Sequence, residues 1–366
     1  MWNVRIMTGL FEFPNPLLDE RLISTKIKNP FVTVIVTNYN YEKYIIHCLE
    51  SVARQKYLLF KCVIVDDCSS DGSISLIEDF IKSDLARGCF ALVRRSENRG
   101  QMAAFKTGLQ HAEGAFVVLL DADDILFEDF LDVHIHAHMG PKAVAFTSSN
   151  QYQINEKNEI IAGIHPDLLI QKKLRYIKPR PLQQPFWVWA TTSSMMFRKP
   201  ILDLIMPDET DPFRVCADNY ICHFANIIGG SMLILSVHGC YRRHGSNYFS
   251  SNPFFGARLP TGNMDEHPKH HIVRLTILSH ILKNHEKFSA LLAEGNFITT
   301  LLRLTGPIEI FRIKKNYPEY FKKKPFSLQI RFLIASFLMR INQLITEYVR
   351  YIQYIFHENK RRDPDI

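Results

Sequence analysis

Apolar runs and helical stripes alternate along the first 145 residues. "VTVIVTNYN" (32–40) is a β-branched run suited to burial on both faces, and it predicts a strand. Ile45, Cys48, Leu49 and Val52 then recur at i, i+3, i+4 and i+7, one face of a helix. "KCVIVDDCSSDGS" holds a second strand ending in two acids, after which Ser69, Ser70 or Asp71 is placed to cap the helix "SISLIEDFIKS". "CFALVRR" is a third strand and "NRGQMAAFKTGLQHAEG" a helix closed by Gly114. "AFVVLLDADD" is a fourth strand, with a helix from Glu128. Strands alternating with helices predict right-handed βαβ units, hence an α/β fold with a mostly parallel sheet.

After Val144 the rhythm breaks. "QYQINEKNEIIAG" predicts a hairpin turning at Glu156–Asn158, and "TTSSMMFRKP" a strand with Pro200 opening a helix. Residues 219–241 predict a helix, a Gly229–Gly230 turn and a buried strand. From about 264 the pattern is helical. The expected organisation is an N-terminal extension (1–29), a core (30–260) and a helical C-terminal region (261–366).

The polar clusters fall where the predicted strands end. Thr37, Asn38, Tyr39 and Asn40 follow the first, Asp66 and Asp67 the second, and Asp121, Asp123 and Asp124 the fourth. In an open parallel α/β sheet, ligands bind beyond the carboxyl ends of the strands. Each acid singly is compatible with a turn or a helix cap. Three within four positions repel one another, and capping needs one. Carboxylates at i and i+2 of an extended segment point the same way, so Asp121 and Asp123 are placed to meet one hard cation.

Composition narrows the picture. With 366 residues, 46% of them hydrophobic, the chain has ample core. Seven scattered cysteines without a CxxC pair fit a reduced, cytoplasmic setting. The first residues lack the pattern of a signal peptide, and no segment is a convincing membrane span. Of the net charge of +7, all is carried by residues 310–366, where 12 Lys and Arg face 5 Asp and Glu. A main fold without excess positive charge argues against nucleic acid as partner. The histidine clusters "HIHAH" (134–138) and "HPKHH" (267–271) are expected at the surface, since alternate helical positions diverge too far to share a metal.

"VTVIVTNYNYEKYIIHCLESVARQ", "VIVDDCSSDGS", "ENRGQMAAFKTGLQHAEGAFVVLLDADD" and "YRRHGSN" occur in an order and spacing that resembles the family-2 inverting glycosyltransferases of the GT-A fold, over roughly residues 30–250. The resemblance implies a Rossmann-like sheet binding a nucleotide-diphosphate sugar, UDP-sugar by default, with Mg²⁺ or Mn²⁺. It implies that Thr37, Asn38 and Tyr39 contact the base, with Asp67 and its neighbour Asp66. Asn98, Arg99, Gly100 and Lys106 would lie near the nucleotide. Asp121 and Asp123 would touch ribose and metal-bound diphosphate, with Asp124 and His244 as further metal contacts. Ser193 and Ser194 would lie on the acceptor side, and Asp218 would be the catalytic base. Two departures stand out. Ala217-Asp218 replaces the frequent Glu-Asp, and "AFKTG" replaces Ala-Arg-Asn, leaving Lys106 where an Arg is usual. A sugar-phosphate nucleotidyltransferase would need a Gly-rich loop after the first strand, which "TNYNYEK" lacks; a nucleotide-sugar-binding module without catalysis is the other alternative.

The tail 325–363 is rich in Phe, Ile, Leu and Tyr, too apolar for a solvated helix and too often charged to span a bilayer. Packing on the core or pairing with a second subunit is the plain expectation. Basic residues alternating with aromatics in "KNYPEYFKKKPF" add peripheral attachment to an anionic membrane, which a lipid-linked rather than a free saccharide acceptor would use.

Overall fold

The computed structural model describes residues 30–162, 174–179, 182, 187–244 and 268–291, together with residues 334, 337, 341 and 348. The N-terminal extension, the expected border near 260, the side chains of "HPKHH" and nearly all of the tail lie outside the described residues. Ile334, Phe337, Ile341 and Tyr348 are helical and exposed.

The centre is parallel, as the alternation predicts. β1 (Val32–Asn38) pairs in parallel with β2 (Phe60–Asp66) and with β4 (Phe116–Asp121), and β2 in parallel with β3 (Phe90–Arg94). This register sets Asn38 opposite Asp66 and Thr37 opposite Asp121, so the polar strand ends share one edge. The sheet continues from β4 through β9 (Met195–Arg198), β6 (Phe146–Ile154) and β10 (Ser231–Arg242) to β5 (Ile125–Leu126). β9 runs antiparallel to β4 and β6, while β10 runs parallel to β6. β7 (Ile160–Ala162) completes the expected hairpin with β6, and β8 (Leu174–Ile177) pairs with β10.

Helices α1 (Ile45–Ala53), α2 (Ser73–Lys82), α3 (Gln101–Gln110) and α4 (Phe130–His138) follow β1, β2, β3 and β5. The predicted stripe of α1 is buried with Val34 and Val36 of β1 and Ile64 of β2 in one core cluster. Burying each such side chain contributes about 1.5–3 kcal/mol. Beyond them come α5 (Lys199–Ile205), with Pro200 in its first turn, and α6 (Ala217–Gly229). α7 (Pro268–Lys283) and α8 (His285–Leu291) follow.

Three local expectations are corrected. α3 stops at Gln110; Gly114, at φ +84° and hard against the Phe31 carbonyl, makes the turn into β4 instead. Of the cap candidates before α2, Asp71 accepts from the Ser73 N–H at 3.0 Å, while Ser69 is drawn to Asp66. His134 and His138 are buried, not at the surface: His134 bonds Thr147 Oγ1 and His138 the Met196 carbonyl.

The chain divides into two compact units, residues 1–180 with 185–273 and residues 181–184 with 274–366. In the second, Phe288 meets the His280 ring edge-on. All seven cysteines are free. Among the described residues no helix is long and apolar enough to cross a membrane.

Candidate active site

Asp121, the last residue of β4, is reached from three elements. Thr37 Oγ1 and Gln101 Nε2 donate to its Oδ1 at 3.2 and 2.9 Å, and its own N–H donates to Ser193 Oγ at 3.1 Å. Asp123 Oδ2 lies 2.9 Å from His244 Nε2. Asp124 Oδ1 accepts from the Arg242 N–H at 2.8 Å, and its Oδ2 is buried without a hydrogen-bond partner. The Arg242 side chain is fully buried beneath the cluster. Its Nε donates to the Asp123 carbonyl at 2.7 Å, one terminal nitrogen donates to the Asn155 carbonyl at 3.0 Å, and the guanidinium lies 4.9 Å from the Tyr44 ring centroid. Tyr44 stacks on His244 at 5.0 Å and Tyr41 meets it edge-on at 5.8 Å, fixing the imidazole.

Such crowding opposes ionisation. Burial, then the charge of Asp123, pushes Asp121 up to about 7; the Asp218 charge acts in the same direction, and the bonds from Gln101 and Thr37 oppose it. Burial, then Asp123 and Asp121, pushes Asp124 well above the carboxylate range, with Ser193 and the Arg242 N–H opposing. The Tyr41 and Tyr241 phenols are raised by burial and by the same three acids, so both line this field.

The second strand end is a knot. Asp66 accepts from the Ser69 N–H and hydroxyl and from Asn38 Nδ2. Asp67 Oδ1 accepts from Arg95 at 2.6 Å and from the Arg99 N–H at 3.2 Å, and Oδ2 from the Gly100 N–H at 2.6 Å. Both acids are buried and largely committed, so they organise the loop from Asn98 to Gly100 more than they offer a surface for a base. Tyr39, 45% exposed, is open for stacking, and Arg99 projects outward beside Asp211.

Asp218 sits in the first turn of α6, with Cys216 rather than Asp218 at the cap position; its Oδ1 accepts from the Asn219 N–H at 2.8 Å. Gln101 links it to the cluster: the amide that donates to Asp121 accepts from the Ala217 N–H at 3.0 Å.

Three of the expected groups are bonded within the protein. Lys106 donates to the Pro207 and Asp208 carbonyls, which ties α3 to the chain after α5. Ser193 and Ser194 are fully buried, with Ser193 accepting from the Asp121 N–H and Ser194 bonded to Thr191 and Ser148, so both support the cluster from within. The set Asp123, Asp124 and His244 is not one ligand shell: Asp124 is turned to the Arg242 main chain, and among the described residues no three acids, histidines or cysteines are arranged to hold an ion. The donor chemistry still fits Mg²⁺ or Mn²⁺. Such ions commonly use one or two carboxylates and complete their shell with substrate phosphates and water. Two acids whose ionisation is opposed, Asp121 and Asp124, and one orphaned carboxylate oxygen of Asp124 fit a bound cation.

Arg242, Gln101, Arg95 and Tyr41 were not singled out by sequence. "YRRH" and "NRGQ" contained two of them, but neither spacing nor residue type tells a buried support from a solvated arginine or glutamine.

Residues 33–205 match the family model described as glycosyl transferase family 2. This domain belongs to glycosyl transferase family 2. The chain is 25% identical over 233 residues to an uncharacterized glycosyltransferase of Nostoc sp., covering 59% of this chain and 66% of that one. It is 39% identical over 95 residues to the teichoic acid poly(glycerol phosphate) polymerase of Staphylococcus epidermidis, 26% of this chain and 13% of that protein. The chain thus spans less than two thirds of these relatives' length. Residues 1–349 of TarS from S. aureus, crystallised with UDP, superpose with a TM-score of 0.51 at 17% identity, over 83% of this chain and 78% of that one. That likeness concerns the fold, the GT-A arrangement of a mostly parallel sheet flanked by helices.

Proposed function

We propose that this glycosyltransferase moves a sugar from a nucleoside-diphosphate donor to an acceptor hydroxyl with inversion, in polysaccharide or glycolipid biosynthesis. The observation that carries the reading is the Gln101 amide bridging Asp121 and the start of α6, which places the carboxylate cluster and Asp218 on one edge of the sheet. A bound Mg²⁺ or Mn²⁺ supplies Lewis-acid neutralisation of the departing diphosphate. Asp123 and His244 would hold it, with Asp124 behind them. Thr37 and Asp121 face the ribose, Tyr39 stacks on the base and Arg99 stands toward the phosphates. Asp218 accepts the proton of the attacking hydroxyl, and one displacement on the far face of the sugar inverts the anomeric carbon. UDP-sugars are the first donors to test. A saccharide or lipid-linked acceptor is proposed, the latter with peripheral membrane contact through the tail.

Asp218→Asn keeps the carboxylate's shape and removes its basicity. Donor binding is expected to persist while turnover falls at least ~10²-fold, the usual contribution of a general base. Near-normal turnover would assign the proton to another group.

A further inference from the structure

We propose that Gln101 is a positioning residue that sets Asp218 for proton abstraction, an inference that rests on reading Asp218 as the base. The first N–H groups of a helix have no partner within it. The residue before α6, Cys216, gives no side-chain cap and stands in the left-handed region at φ 60°, ψ 45°. The missing acceptor comes from another element: Gln101 Oε1 takes the Ala217 N–H at 3.0 Å. The other half of the same amide donates to Asp121 at 2.9 Å. These partners fix the amide's orientation, because a flip would face its NH₂ with an N–H and its oxygen with a carboxylate.

The neighbouring main chain tightens the connection. The Gln101 N–H donates to the Arg214 carbonyl at 2.9 Å, and the Arg214 guanidinium donates to the Asn98 carbonyl and Oδ1 at 3.0 and 2.8 Å. Residues 98–101 therefore clasp residues 214–217, and Asp218 is the next residue along. One side chain spans from the acid at the end of β4 to the turn that carries the base. A displacement of about 1 Å at a reacting group can cost about 10²-fold in rate.

The test is steady-state kinetics of the full chain with Mn²⁺ and the donor it turns over, for Gln101→Met, which keeps length and bulk, and Gln101→Ala. Both are expected to lose roughly 10- to 100-fold in kcat, with KM for donor changed less than about threefold. In an Asp218→Asn background the Gln101→Met loss should vanish, since residues acting as a unit are non-additive. Melting of each variant is followed alongside, and a Gln101→Met variant that melts like the wild type yet keeps full kcat would overturn the proposal. So would an equal loss in both backgrounds, which marks a structural role unrelated to the base. If Asp218→Asn itself turns over normally, the failure belongs to the base assignment. If Asp218→Asn is inactive and both Gln101 variants are fully active, the base stands and this inference alone falls.

Discussion

Acidification is expected to weaken the domain through two histidines of α4. His134 Nδ1 lies 2.6 Å from Thr147 Oγ1, and its Nε2 is buried without a partner. His138 Nε2 lies 3.0 Å from the Met196 carbonyl and so carries the proton, leaving Nδ1 buried and bare. The rings pack on Phe130 and Phe116, with centroids 4.1 and 4.6 Å apart. A second proton on either ring would be a buried charge with no acceptor. Burial, then the Arg198 charge, pushes His138 down to about 3 against the pull of the Met196 carbonyl; burial, then His138 and His238, lowers His134. The unfolded chain protonates both near their ordinary value of about 6.5. Their contribution is therefore whole above that pH and falls as pH drops below it, for His138 until pH nears 3. For His138 the loss is about 1.4 kcal/mol per pH unit, hence about 2 kcal/mol at pH 5. At about 2–4 °C per kcal/mol for a domain of this size, His138 accounts for roughly 4–8 °C of the fall in Tm between pH 7.5 and 5, and His134 adds to it in the same direction. Thermal melts of wild type and His138→Gln at the two pH values check this. The glutamine keeps a donor for Met196, and its fall is expected to be smaller by that amount. Equal falls in the two proteins would mean that protonation of His138 does not weaken the fold.

Two further outcomes follow from the knot at β2. Asp67→Ala strands the half-buried Arg95 and the N–H groups of Arg99 and Gly100. Breaking a buried pair costs about 3–5 kcal/mol, and calorimetry should show Tm lower by roughly 10 °C; an unchanged Tm would mean that the knot is not structural. Gly100→Ala puts a Cβ 2.5 Å from the Arg214 carbonyl at φ +81°, so both Tm and turnover should fall, by at least about 1 kcal/mol in stability. Wild-type melting and rate would contradict the close approach.

The legible parts of the fold are the periodic ones. β1, β2 and β4 are continuous apolar runs and α1 a clean stripe, and their order alone places the polar strand ends on one edge. β6 was harder to read beyond its hairpin end. Its Ser148, Ser149, Asn150 and Gln151 are polar yet buried; Ser194 and the Ala190 N–H bond the Ser148 hydroxyl, and the Thr191 N–H and hydroxyl donate to Gln151 Oε1. His134 and His138 were misplaced for a related reason, since a histidine on an apolar face reads as exposed until its partners on β6 and β9 are known. At the site, the acids could be read because they crowd in sequence. The groups that manage them could not: Arg242 arrives from 118 residues away, and Ser193 from 72.

The acids beyond β4 are proposed to hold a metal-bound nucleoside diphosphate. Thermal shift of wild type and Asp123→Ala with UDP, with Mn²⁺, and with both tests it most directly. A ligand at 100 times its Kd stabilises by about 2.7 kcal/mol, so the wild type should gain roughly 5–10 °C with UDP and Mn²⁺ together and Asp123→Ala should gain none. An equal gain in Asp123→Ala, or no gain in the wild type with UDP or any other nucleoside diphosphate and Mn²⁺, would rule out a metal-bound nucleotide on these acids.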